Sequence, residues 1–474
     1  MQINRIVHPG FWFGKSDLKE AIELAKAGVG GFCIYFGNKK EVREFTRTLQ
    51  DNAPHKLIFS ADYEYGLGRW LPDAPLLPSN ISIGATNNED LAYKKGFLTA
   101  CQAKELGVEW VLAPVVDLAD TPQNPIVNTR SFGADPKKVI ALARAFMRGL
   151  EAGGCLNTLK HFPGHGSTVL DSHLTLPHVT RTRAQLDEAD LAPYKELVVK
   201  ADSIMAAHLV VEAMDKDNPA SFSKKILTDY IMGTLRYKGA VVTDALVMKA
   251  TGGLDPLDTF KAGADILLCP DNPLALMARL KEMLAQNPSL KKRAADALSN
   301  QEMMHAKLAS CIPRDCKDPW QDTLSQEAAQ EGVAAVGGVF KIPSGATALY
   351  LEPDTYPEEN FKATEFLKTL KDGGVKIMPY RPGIQADYLV ATTFSNYAAF
   401  SGQINFTREQ KDLLNTALTA QCKSVLVSFG SPFVNLGLDN LTLFLMAGTQ
   451  SADFQKHSAQ ILLGAAKAKG VMPV

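Results

Sequence analysis

The chain has 474 residues, 46% of them hydrophobic and 21% charged, which exceeds one comfortable core and predicts two soluble globular domains. Its formal net charge of -1, with both signs mixed along the chain, gives no basic stripe for a phosphate backbone and excludes nucleic acid as an expected partner. No run of about 18 apolar residues occurs, so no spanning helix is predicted, and no signal peptide is visible at the N-terminus.

From residue 1 to about 270, short apolar β-rich runs alternate with amphipathic stretches of helical length. The expected strands are Ile6–Phe13, Gly31–Phe36, Leu57–Asp62, Trp110–Asp117, Asn157–Phe162, Ser203–His208, Ala240–Asp244 and Asp265–Cys269. Helices are expected at Ser16–Ala27, Lys40–Leu49, Asp90–Leu106, Lys137–Ala152, Ala184–Val199 and Lys225–Leu235. Eight strands with intervening helices match a (β/α)8 TIM-type barrel. Asp62, Asp117, Lys160, His161, His208 and Asp244 all fall at C-terminal strand ends, which converge on one face of such a barrel.

Residues 273–309 read as helix, and 311–334 as a linker, so the first domain is placed at 1–310. The remainder, 335–474, reads as a smaller α/β/α sandwich. Its expected strands are Ala346–Leu351, Lys376–Met378, Tyr388–Thr392, Ser424–Ser428 and Leu441–Met446, with helices Phe361–Leu370, Glu409–Thr419 and Phe454–Ala468. Seven dispersed cysteines, an odd set, point to reduced thiols and a cytoplasmic location.

The densest chemistry lies in Lys160-His161-Phe162-Pro163-Gly164-His165-Gly166 and the nearby Asp171-Ser172-His173. The Asp-x-His spacing lets a carboxylate orient an imidazole on one short loop. It equally suits a loop stabilised by an Asp–His hydrogen bond. A zinc site from His161, His165, His173 and Asp171 is a rival, but the spacing matches no common zinc pattern, and the Pro-Gly breaks the helix that a helical His pair requires. Neither a metal nor another cofactor is therefore expected. Asp244 closes the apolar run Val241-Val242-Thr243; alone it reads as the cap of a following helix, and with a histidine dyad arriving from another strand end it reads as half of a glycosidase pair. Asp62, Arg130, Lys160, His161 and His208 are candidates for holding sugar hydroxyls, or for barrel-mouth ion pairs.

These segments, in order with Asp62/Glu64/Gly66, Ile83-Gly84-Ala85-Thr86, Ala113-Pro114-Val115-Val116-Asp117, Asn124-Pro125, Arg130-Ser131-Phe132-Gly133, Pro219-Ala220-Ser221, Tyr237-Lys238-Gly239 and Thr243-Asp244-Ala245-Leu246, resemble glycoside hydrolase family 3. The resemblance is to its β-N-acetylglucosaminidase branch, related to peptidoglycan recycling. It implies a retaining double displacement with Asp244 as nucleophile and His173, paired with Asp171, as acid/base. Asp62, Arg130, Lys160 and His161 would bind the non-reducing sugar, so the expected partner is a small GlcNAc-containing carbohydrate. Phosphorolysis, β-glucosidase activity and silent sugar binding are the alternatives. Two departures stand out: Tyr65 where the family often has glycine, expected to reshape the aglycone side, and Asn128 where glycine is frequent. Asparagine tolerates the left-handed backbone.

Overall fold

Along each N-terminal strand, successive residues face opposite ways, as the two-residue period of extended chain requires. Cys33, Ile58, Trp110, Met205, Val242, Ile266 and Leu268 belong to one buried cluster filling the barrel interior. Their strand neighbours Phe32, Phe59, Val111, Ile204, Val241 and Leu267 pack outward against helices. The computed structural model describes residues 2–311, 316, 320, 323–354, 362–396, 404–420 and 423–474.

The barrel closes through parallel pairs at every step. The first strand comes in two pieces, Val7–His8 and Gly10–Trp12. Gly31–Tyr35, Ile58–Ala61, Trp110–Val111, Thr158–Phe162, Ser203–Ala206, Ala240–Thr243 and Leu267–Leu268 follow. Gly10 pairs with Cys33, Gly31 with Ile58, Ser60 with Trp110, Thr158 with Ser203 and Ala240 with Ser203. Bridges Trp110–Leu156 and Val242–Ile266 and the pair Val7–Leu267 complete the ring. All eight expected strands are present. The helix expected at Ala184–Val199 is broken into Arg183–Glu188, Ala192–Leu197 and a 3-10 turn, with Pro193 at the start of the second piece. Lys225–Thr234 is wound as a π-helix. Two short helices, Asn80–Thr86 and Pro256–Ala262, were not anticipated.

The second domain is a six-stranded sheet in the order Ala334–Gly337, Leu443–Met446, Lys423–Ser428, Tyr388–Thr393, Thr347–Leu351, Lys376–Pro379. Only the first strand is antiparallel to its neighbour. Leu349, Leu389, Leu426 and Phe444 bury one face with Leu414 and Leu418 of helix Arg408–Thr419. Ala348, Val390, Val425 and Leu445 bury the other with Phe366 of helix Thr364–Asp372 and Phe454 of helix Ala452–Leu463. The result is an α/β/α sandwich. Phe361, the expected start of one helix, lies outside the described residues.

The stretch 311–334 is more than a connector. Residues 312–315, 317–319 and 321–322 lie outside the described residues, but Leu324–Gly332 forms a helix whose Leu324, Ala328 and Ala329 are buried. Its Gly332 lies close against helix Asn80–Thr86: a Cβ there would lie 2.7 Å from the Ser82 carbonyl. The parallel strands of the sheet carry Asn396, Ser431 and Thr449 just past their carboxyl ends, and all three bond to the barrel domain. The carboxyl ends of the two parallel arrays thus face one another.

One cysteine expectation is corrected. Cys101 and Cys316 form a disulfide with Cα atoms 5.7 Å apart, across 215 residues of sequence, while Cys33, Cys155 and Cys269 are buried free thiols. The cytoplasmic expectation rested in part on reduced thiols, and this bond removes that part of its support. Among the described residues no helix is long and apolar enough to cross a membrane.

At the opposite end of the barrel, burial, with His305 and Arg5 beside it, pushes the His8 imidazole from 6.5 down to about 3. Burial likewise brings His305 down to about 4. An unfolded chain takes up these protons first as the pH falls, so the folded state holds its full stability above about 6.5 and loses it toward 4. The thermal midpoint should therefore begin to fall just below pH 6.5. A midpoint flat down to the carboxylate range, near pH 4, would contradict this.

Candidate active site

The site grows from the carboxyl ends of the barrel strands. The pairing of strand Thr158–Phe162 with Ser203–Ala206 shifts register between Leu159 and Phe162. At this irregularity two consecutive side chains, Lys160 and His161, both reach the same cavity, which a regular strand would not allow. That cavity, of about 1000 Å³, also takes in Asp62, Arg130, His173 and Asp244.

Lys160 donates to Asp62 Oδ1 at 2.6 Å, and its Nζ lies 2.6 Å from Glu64 Oε1. Arg130 grips Glu64 with two parallel bonds, Nε to Oε2 at 2.9 Å and Nη2 to Oε1 at 2.7 Å. Burial alone would lower the Lys160 ammonium and raise the Glu64 carboxyl. The attraction within the cluster wins in both directions: Lys160 is held above, and Glu64 far below, its ordinary value. Glu64 lies two residues beyond Asp62 in the sequence motif, and only the structure gives it a role. Replacing it with leucine leaves Arg130 buried without its carboxylate and should cost about 3–5 kcal/mol of folding stability by urea denaturation. A loss under about 1 kcal/mol, the range of an exposed pair, would contradict this.

His161 Nδ1 contacts Asp117 Oδ2 at 2.6 Å, and Arg130 Nη2 approaches Nε2 at 3.2 Å. Asp117 also accepts the backbone N–H of His165 at 2.8 Å. Despite full burial, the neighbouring imidazoles hold its carboxyl below the usual range. Asp117 is therefore a buried organiser of the Lys160–His165 segment.

Asp171 and His173 make their bond within a single turn. Asp171 Oδ1 accepts the His173 backbone N–H at 2.8 Å and meets ring Nδ1 at 2.8 Å. Asp171 is buried, whereas the His173 ring, 17% exposed, lies on the cavity wall. Between them, Ser172 is bonded to His165 Nε2 at 3.0 Å, and His165 Nδ1 contacts Thr168 at 2.8 Å. Burial pushes His165 down to about 4, so at neutral pH it is an uncharged strut under the loop. The three imidazoles thus have separate partners, and among the described residues no three His, Cys, Asp or Glu side chains are placed to hold a metal.

Asp244 follows strand Ala240–Thr243, and its Oδ1 accepts the next backbone N–H, from Ala245, at 2.8 Å. The capping alternative fails, because the next α-helix, Pro256–Ala262, is capped by Asp255. Burial works to raise the Asp244 carboxyl, but His161, His208, the Ala245 amide and His173 outweigh it and hold the group below its ordinary value. The arrangement therefore supplies an ionised carboxylate beside an imidazole backed by a buried aspartate.

Two expectations are corrected. His208 is fully buried and not on the cavity wall; its nitrogens face Ser221 Oγ at 2.6 Å and the Ala245 carbonyl at 3.2 Å, so it supports the Asp244 turn and holds no sugar. Tyr65 does not shape the cavity either, since its buried hydroxyl donates to Thr129 Oγ1 at 2.9 Å. Asn128 has φ +36°, the left-handed backbone its departure from glycine allows. The second domain contributes to the wall through Lys362, Glu365, Asn396, Gln450 and Gln455, none of which stood out in the sequence.

The chain is 32% identical over 327 residues to beta-hexosaminidase A of Pseudoalteromonas piscicida, a match covering 62% of this chain and 54% of that protein. It is 31% identical over 284 residues to a beta-hexosaminidase of Idiomarina loihiensis, covering 57% and 85%. Among solved structures, a beta-glucoside phosphorylase superposes with TM-score 0.91 at 22% identity, covering 100% of this chain and 93% of that one. A family 3 β-N-acetylglucosaminidase from Paenibacillus sp. str. FPU-7 superposes with TM-score 0.85 at 24% identity, covering 100% and 98%. At such identities the superpositions establish the fold, a TIM barrel followed by an α/β sandwich. The glycosyl hydrolase family 3 N-terminal domain matches residues 3–300, most of the chain, and the protein belongs to that family.

Proposed function

We propose that the protein is a retaining, exo-acting β-N-acetylglucosaminidase that removes terminal GlcNAc, with peptidoglycan fragments as the natural source. The observation that carries this reading is the shared cavity of Asp244, ionised by its surroundings, and the His173 imidazole, backed by buried Asp171. Asp244 attacks the anomeric carbon as His173 Nε2 gives its proton to the leaving oxygen, forming a covalent glycosyl-enzyme. His173 then takes a proton from the incoming water, which releases the sugar with its configuration retained. Asp171 holds the ring through Nδ1 and stabilises its charged form. Asp62, Arg130, Lys160 and His161 receive the sugar hydroxyls, where charged groups make the stronger hydrogen bonds. The names of the similar beta-hexosaminidases support the acetamido sugar.

The test is the initial rate on an aryl β-N-acetylglucosaminide beside the matching β-glucoside, with the product anomer followed by NMR. Preference for the acetamido sugar and initial release of the β-anomer is the expected result. Equal rates overturn the substrate, and initial release of the α-anomer overturns the double displacement. One observation favours a second reading, phosphorolysis: an imidazole acid/base, unlike a carboxylate, does not repel an anionic acceptor. Added phosphate would then accelerate turnover and yield a sugar 1-phosphate.

A further inference from the structure

Arg130 sits on a 3-10 turn, Asn128–Arg130, with no strand to hold it. Glu64 fixes the guanidinium, but the side chains of the two residues before Arg130 are held from across the domain boundary. Asn128 Nδ2 donates to Ser431 Oγ at 3.0 Å, and Thr129 Oγ1 donates to Asn396 Oδ1 at 2.5 Å. Ser431 in turn donates to Asn405 Oδ1 at 2.7 Å, and Asn405 Nδ2 donates to the Pro122 carbonyl at 2.9 Å, earlier in the same loop. Asn128, Thr129 and Ser431 are all buried, so an orphaned partner could not turn to bulk water instead. On the barrel side, Asn80 Nδ2 donates to the Arg130 carbonyl at 2.7 Å.

We propose that Asn396 and Ser431 are positioning residues, through which the C-terminal domain sets the place of Arg130 and hence the affinity of the sugar subsite. The proposal rests on reading Arg130 as a sugar ligand. Asn396 and Ser431 follow neighbouring parallel strands of the sheet, so the rigid carboxyl edge of the second domain serves as the template for a loop of the first. A displaced guanidinium meets the ground state and the transition state equally poorly, so the loss falls on KM rather than kcat.

The experiment uses full-length Asn396→Leu, Asn396→Asp and Ser431→Ala proteins. Asn396→Asp keeps the acceptor for Thr129, whereas Asn396→Leu removes it. Ser431 does not line the cavity, so its truncation cannot act by losing a sugar contact. Without any substrate, hydrogen exchange at the amides of 126–131 should quicken in Asn396→Leu and Ser431→Ala and stay close to wild type in Asn396→Asp. On an aryl β-N-acetylglucosaminide, the first two should raise KM about tenfold with kcat nearly unchanged, the tenfold corresponding to one lost hydrogen bond. Unchanged exchange across 126–131, or exchange in Asn396→Asp as fast as in Asn396→Leu, overturns the proposal. A wild-type protein silent on every aryl hexoside would instead overturn the glycosidase reading, and the exchange measurement would still decide whether the second domain positions this loop.

Discussion

Asp244→Ala should lower kcat on an aryl β-N-acetylglucosaminide by on the order of 10⁴-fold or more, the scale of losing an activated nucleophile. The carboxylate has the features that role requires. It follows a buried strand, lines the cavity and is held below its ordinary value, hence ionised, by His161, His208, the Ala245 amide and His173. Removing it leaves room for a small anion, so azide should restore part of the turnover and give the α-glycosyl azide, formed by a single inversion. The thermal midpoint, measured alongside, separates lost chemistry from lost fold. A variant retaining a substantial fraction of wild-type kcat would remove Asp244 from the mechanism.

The second large effect depends on the leaving group. His173→Ala should cost about 10²–10⁴-fold on an alkyl or sugar aglycone, which must be protonated to depart, and far less on a dinitrophenyl aglycone, which leaves as a stable anion. Asp171→Asn should follow the same pattern at about 10–100-fold, because Asp171 acts only through the orientation and basicity of the ring. A uniform loss across leaving groups would show that the loop shapes the cavity without moving the proton. His165 underlies the same loop through Ser172 but supplies no proton of its own, being held uncharged by burial.

How far the sequence reached depended on the range of the signal. The eight barrel strands were legible because each buries both faces and reads as a short apolar run ending in a polar residue, a local pattern. The dyad was legible for a similar reason, since Asp171 and His173 meet within one turn. Other features arise from partners far apart in the chain, where no local pattern reports them. Glu64 looks like an ordinary loop acid until Arg130, 66 residues away, is found across it. His208 shares its strand-end position with true wall residues, and only Ser221 and Ala245 show that both ring nitrogens are already engaged. The Cys101–Cys316 bond and the strand Ala334–Gly337 likewise depend on distant partners. That edge strand, with its Ala-Ala-Val-Gly sequence and mostly exposed side chains, lacks the apolar alternation that marks a half-buried strand.

The neutralised cluster of Lys160, Arg130, Asp62 and Glu64 has a consequence for the medium in which the protein works. Two cations and two carboxylates meet there before any ligand arrives, and all but Asp62 are almost wholly buried. An uncharged sugar therefore meets a binding cluster with little net charge of its own, and dissolved ions find little there to screen. Recognition depends on the directions of hydrogen bonds rather than on long-range attraction, and it should hold over a wide span of ionic strength.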